Sequence, residues 1–248
     1  MPLADDALSG NDCAMILPTT VFATLMEPIA FWRNPQPMRP DGLRAAGAWR
    51  RWALLTAMQV GGLMGVVVPV MLAWRQIFDL PSPDAFNGMT PLALWGGTVL
   101  LAPVLEELFF RGWLSGLPRA LWAMAITLAG LALFMGFGKA NPLAGGGILL
   151  ATTAAVIGVW FWLRHKQERP GWFDGAFPWL FHINALAFAA LHLANYPKFT
   201  LAAIPLVLPQ FWTGLMLGFL RLRIGLGAAI LTHIISNAIA LTLAMIVG

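Results

Sequence analysis

Two adjacent glutamates and an arginine stand inside the apolar stretch "LLAPVLEELFFRGWL", residues 100–114. Glu107 and Arg111 are four residues apart, so on a helix they share a face in the order that favours an ion pair. Glu106 lies about 140° around that helix from Arg111 and is left without this partner. A carboxylate so placed can take and return a proton, which is the work of a general base. The plainer alternative is a structural ion-pair knot at one end of a helix.

Two further helical patterns carry side chains of matching chemistry. In "FAALH" Phe188 and His192 are four apart, so the ring packs over the imidazole and restricts it. In "THIISN" His233 and Asn237 stand at the same spacing, an imidazole beside an amide. Either pattern alone reads as packing or as an interhelical hydrogen bond. Together the three supply the parts of an amide hydrolase: Glu106 as base on a water, His192 to orient that water, and His233 with Asn237 as donors to the developing oxyanion. No serine stands four residues from either histidine, and the lone Cys13 lies in the N-terminal segment, so water is the expected nucleophile.

The elements that must position these residues follow from composition. Of 248 residues 59% are hydrophobic and 10% charged, with mean hydropathy +0.74, which describes an integral membrane protein. The expected fold is all-α, a polytopic bundle of about seven transmembrane helices, because a lipid-exposed backbone must satisfy its own hydrogen bonds. The spans run from Trp52 to Trp74 and over roughly 91–117, 120–137, 143–163, 176–196, 199–220 and 225–247, most with tryptophans near their ends. Residues 14–32, "AMILPTTVFATLMEPIAFW", read as an N-terminal interfacial helix, with an eighth span as the rival. The opening "MPLADDALSGND" lacks the positive region of a signal peptide. The chain thus divides into an N-terminal cytoplasmic or interfacial segment, 1–50, and a transmembrane domain, 51–248.

The charge of +4 does not point to nucleic acid, since the basic residues sit in short loops and beside span ends. With the N-terminus cytoplasmic, all basic residues but Arg75, Lys139 and Lys198 fall on the cytoplasmic side. The expected location is a bacterial inner (plasma) membrane. Glycines at 145–147 and along 214–227 would permit close helix packing or could face lipid.

The order "EELFFR", "FAALH", "HIISN" resembles the EExxxR, FxxxH and HxxxN/B motifs of the CAAX prenyl protease and bacteriocin-processing (CPBP/Abi) family of intramembrane endopeptidases. The resemblance covers roughly residues 90–248, with the three motifs complete, in order and on separate helices. It implies Glu106 as the catalytic glutamate, His192 as its partner at the water, His233 and Asn237 as the oxyanion pair, and Glu107 with Arg111 as a structural pair. It also implies a membrane-associated protein or peptide substrate in the lipid bilayer. A prenylated substrate is not carried over, because nothing in the chain reads a prenyl group.

Glu106, His192 and His233 could also hold zinc with a water in the fourth position. Because the chain lacks an H-E-x-x-H pair and Asn237 is a poor zinc ligand, a cofactor-free glutamate-type mechanism is favoured. The rival readings are a non-catalytic immunity or scaffold protein, held together by the same polar cluster, and a proton-coupled transporter. Counted along the spans, Glu106 falls near mid-membrane, His233 a third of the way from the cytoplasmic end and His192 near the outer end. A common site therefore requires offset or tilted helices.

Overall fold

A computed structural model describes residues 10–198 and 200–247, with side chains from Val21 onward except at Val247. The reading of residues 1–9 as no signal peptide, and the side chain of Cys13, lie outside what is described. The described chain is helical and without strands. Helix α1 covers Gly10–Arg33. Seven helices long and apolar enough to cross a membrane follow: α2 Ala48–Ile77, α3 Pro91–Ser115, α4 Pro118–Gly138, α5 Pro142–Trp162, α6 Gly171–Asn195, α7 Leu201–Arg223 and α8 Leu226–Ile246. The seven expected spans are present, each within a few residues of its sequence boundary.

Local chemistry sets several starts. Thr90 accepts from the Ala93 N–H at 3.2 Å, and Pro91 occupies the first helical position of α3, where no N–H is required. Asn141 caps α5 by accepting from Leu143 and Ala144 at 3.0 and 3.2 Å, again just before a proline. Proline also opens α4.

The core sits around α7. Within its most apolar window 56% of residues are buried, against 11% for α4 and 6% for α5, so α7 is central and the α4–α5 hairpin peripheral. Helix α6 runs antiparallel along α7, and the glycines of α7 allow the close approach. A Cβ on Gly214 would meet the Ala185 backbone at 3.2 Å, and one on Gly218 would meet the Phe181 ring at 2.7 Å. In the α4–α5 hairpin Gly145 abuts the Gly138 carbonyl, whereas Gly146 and Gly147 face open space. Polar side chains link α2 to the centre: Thr56 to Thr232 at 2.7 Å, Gln59 to Thr213 at 3.0 Å, and the Trp212 indole to the Gln59 carbonyl at 3.0 Å.

The end of α1 is part of this bundle. Phe31 packs on Phe181 and Phe219, Trp32 packs on Trp212 and donates to the Leu215 carbonyl, and His182 donates to the Trp32 carbonyl at 3.1 Å. The loop that follows is stitched to the basic end of the bundle. Arg223 reaches both Glu27 and Asp41, Arg51 reaches Asp41, and Arg169 donates to the Ser115 and Met38 carbonyls. Asp41 and Gly42 donate main-chain N–H groups to the Arg223 and Ile224 carbonyls. Three of the basic residues that mark this face therefore also tie its loops together.

Steric tests separate the packing glycines from the open ones. Gly214→Leu forces α6 and α7 apart and is expected to destabilise the protein by about 1–3 kcal/mol. Gly146→Leu, in open space, should leave the thermal unfolding midpoint in detergent within a degree or two of wild type, where about half a kcal/mol is the usual surface effect.

Candidate active site

Helix α3 changes winding on the way to its charged residues. It is a π-helix over Leu94–Leu101, becomes α-helical from Ala102 to Arg111, and tightens to a 3-10 turn over Gly112–Ser115. The α-helical section carries both glutamates and the arginine. Local winding therefore keeps Glu107 and Arg111 on one face, as their spacing predicts.

The pair is sealed. The Arg111 and Glu107 side chains are both 0% exposed, with Nη1 3.0 Å from Oε1. Burying an arginine this completely is tolerable only beside compensating charge. Besides Glu107, the guanidinium lies over the Phe188 ring at 4.2 Å and near Phe110 at 5.7 Å, a cation–π arrangement that makes Phe188 an electrostatic partner as well as a packing one. The main chain of Arg111 is held too, its carbonyl accepting from Arg221 of α7 at 3.0 Å.

Glu107 is not confined to Arg111. Its Oε1 also meets His233 Nδ1 of α8 at 2.9 Å in a buried hydrogen bond. The other imidazole nitrogen, Nε2, faces Glu106 Oε2 at 3.6 Å, and Glu106 is 29% exposed while His233 is 4% exposed. His233 thus bridges the two glutamates, and Glu106 has a partner that the α3 sequence by itself does not show.

Phe188 brings His192 to the same place. Its ring centroid lies 4.8 Å from that of His192 and 6.0 Å from that of His233, with both imidazoles steeply inclined to it. His192 begins a 3-10 turn, and its main-chain N–H is directed to the Ala189 carbonyl. The Phe188 carbonyl is released from the regular helical pattern and takes His192 Nδ1 at 2.8 Å. A carbonyl only accepts, so Nδ1 carries the hydrogen and Nε2 of neutral His192 keeps its lone pair. Asn237, one turn beyond His233, directs Nδ2 to the Thr98 carbonyl of α3 at 2.8 Å.

Glu106, Glu107, Arg111, Phe188 and His233 therefore form one contact set. His192 joins it through the Phe188 ring, and Asn237 flanks it on α8. These contacts bring residues counted to different depths of their spans to one place. Phe173 lies against Gly116 just past α3, and Phe188, fifteen residues along α6 and about 22 Å of rise away, lies against Arg111. Sequence reasoning missed Thr98 and a third histidine within the spans, His182. The first lacks any side-chain signal because its carbonyl does the work, and the second is recognisable only from its contact with α1.

Residues 88–239, more than half of the chain, match the model of a family described as type II CAAX prenyl endopeptidase Rce1-like. The match begins just before α3 and ends two residues after Asn237. No curated protein and no solved structure matches the chain.

The buried pair makes a stability prediction. Arg111→Ala strands Glu107 and removes the cation over Phe188, and is expected to cost about 3–5 kcal/mol. Thermal unfolding in detergent should show a marked fall, or the protein should fail to accumulate in the membrane.

Proposed function

This chain belongs to the type II CAAX prenyl endopeptidase Rce1-like family, and we propose that it is an intramembrane endopeptidase that hydrolyses a peptide bond of a membrane-associated substrate with water activated by Glu106. The observation that carries this reading is the unequal exposure of two neighbouring acids joined by one imidazole, Glu107 sealed and Glu106 reachable. A knot serving only to hold helices together has no use for an open carboxylate. A base that must meet water does.

Charge balance supports the division of roles. Arg111 is permanently positive, and the sealed Glu107 beside it is its counter-charge. The remaining pair, Glu106 and His233, keeps the cluster neutral when it holds one proton between them. With that proton on His233, Glu106 is an open carboxylate. The imidazolium then donates through Nδ1 to Glu107, and its Nε2–H, which faces Glu106 at 3.6 Å without substrate, is available to the oxyanion once Glu106 has taken its proton from water.

In the proposed reaction Glu106 takes a proton from water as the oxygen forms its bond to the scissile carbonyl carbon. His192 Nε2 accepts the other water hydrogen and so aims the lone pair. The oxyanion receives N–H groups from His233 and from the unused hydrogen of Asn237 Nδ2. Collapse of the intermediate breaks the C–N bond, and Glu106 returns its proton to the leaving amine. Glu107, Arg111 and Phe188 support the site without meeting the substrate.

The Nδ1 hydrogen bonds of His192 and His233 leave each Nε2 open, as in metal-bound imidazoles, but among the described residues no three His, Cys, Asp or Glu side chains gather closely enough to hold a metal ion. The proposed mechanism is a glutamic one without a cofactor, in which Asn237, a poor metal ligand, serves as an amide donor. The proposed orientation puts the N-terminus and the Arg-rich ends of the spans in the cytoplasm of a bacterial inner membrane, in keeping with the positive-inside rule.

Glu106→Gln keeps the shape and cannot take a proton. It should abolish processing while the folded protein persists in the membrane. Asn237→Ala should lower turnover by about 100- to 1000-fold. The measurement is a comparison of membrane proteomes from cells carrying wild type or Glu106→Gln, looking for an uncleaved precursor that accumulates. Normal processing with Glu106→Gln would instead favour a non-catalytic scaffold.

A further inference from the structure

In a regular α-helix each carbonyl receives the N–H four residues on, and in a π turn the N–H five residues on. At the end of the π-helical stretch of α3 the Ala102 N–H is directed to Gly97, five residues back. The next carbonyl in that register, Thr98, looks to residue 103 for its donor. That residue is Pro103, which has no N–H. Had the stretch stayed α-helical, Ala102 would serve Thr98 and the carbonyl of Val99 would be the one without a donor. The π register and the proline together choose Thr98.

A carbonyl left open in a membrane bundle needs a donor from elsewhere. Thr98 finds it in Asn237 Nδ2 at 2.8 Å. Because a carbonyl only accepts, the amide nitrogen must be the atom facing it, and the Asn237 side chain has one permitted orientation. One of its two N–H groups is held by Thr98, and the other is left to donate.

We propose that Pro103 is a positioning residue for Asn237: by withholding a main-chain N–H from the Thr98 carbonyl, it reserves that carbonyl for the Asn237 amide and so aims the remaining N–H at the reacting group. The part that concerns the reaction rests on the hydrolase reading above. The part that concerns the orientation of Asn237 does not. The same logic accounts for a proline three residues before Glu106, inside a span, where it costs a helix a hydrogen bond.

The test compares two replacements that differ in a single N–H. Pro103→Ala restores the donor, whereas the α-hydroxy acid counterpart of alanine at position 103 keeps the same methyl side chain with an ester and no N–H. The ester also weakens the Ala102 carbonyl as an acceptor, which can only reduce activity, so the expected order is unaffected. In protein labelled with 15N-asparagine, the Asn237 side-chain amide, assigned by its loss in Asn237→Asp, should show one shifted, slowly exchanging hydrogen in wild type and in the hydroxy-acid protein. That signature should be lost in Pro103→Ala.

Turnover of the precursor that accumulates with Glu106→Gln should follow the same division. Pro103→Ala should lose about 100-fold in kcat with KM within about twofold, and the hydroxy-acid protein should retain most of its rate. An unchanged Asn237 signal in Pro103→Ala, or equal losses in both proteins, overturns the proposal. If the signal responds as expected while Glu106→Gln still cleaves, the hydrolase reading fails and the positioning of Asn237 stands.

Discussion

The charge of Arg111, wholly out of water inside the bundle, is the constraint to which the rest of the site answers. Such a group persists only with counter-charge at contact distance, so Glu107 must be ionised and close, and any helix that covers the pair must do so without stranding it. Phe188 meets that demand with the face of its ring, which ties α6 to α3. His233 meets it by hydrogen-bonding the same carboxylate oxygen, which draws α8 in from the other side. Three helices are thus registered on one ion pair. Glu106, the residue before Glu107 on α3, is turned by helix geometry toward the remaining nitrogen of that imidazole.

A second theme is the use of irregular helix winding to orient side chains. The 3-10 turn at His192 frees the Phe188 carbonyl, which sets the imidazole tautomer. The π turn before Ala102 frees the Thr98 carbonyl, which sets the Asn237 amide. A released main-chain carbonyl has a fixed direction and cannot donate, so it orients a histidine or asparagine more strictly than a mobile side chain would. In lipid, where every open carbonyl must find a partner, a defect in winding becomes a positioning device.

The spans and the ion pair were legible in the sequence because each depends on local periodicity: runs of about 20 apolar residues, and the i,i+4 spacing of Glu107 with Arg111. The three motif residues Glu106, His192 and His233 were legible as expensive polar groups in apolar helices. What could not be read was which helix meets which. The double use of Glu107, the contact of Phe188 of α6 with Arg111 of α3 and the docking of Phe31 and Trp32 between α6 and α7 are tertiary facts without a sequence period. The glycines divided in the same way. Gly145, Gly214 and Gly218 sit at close contacts, while Gly146 and Gly147 do not, although all look alike in sequence. Pro103 and Thr98 escaped notice because their interaction runs through the main chain, where side-chain chemistry gives no signal.

The central claim is that Arg111 and Glu107 neutralise each other and leave His233 and Glu106 to hold one proton between them. The 15N resonances of the His233 ring, in selectively labelled protein, report this directly and need no substrate. The account predicts Nδ1 carrying a hydrogen bonded to Glu107, and Nε2 with an intermediate shift that reverts to that of an ordinary neutral imidazole acceptor when Glu106 is replaced by Gln. A neutral ring with hydrogen on Nε2 and none on Nδ1, unchanged by that replacement, would contradict it.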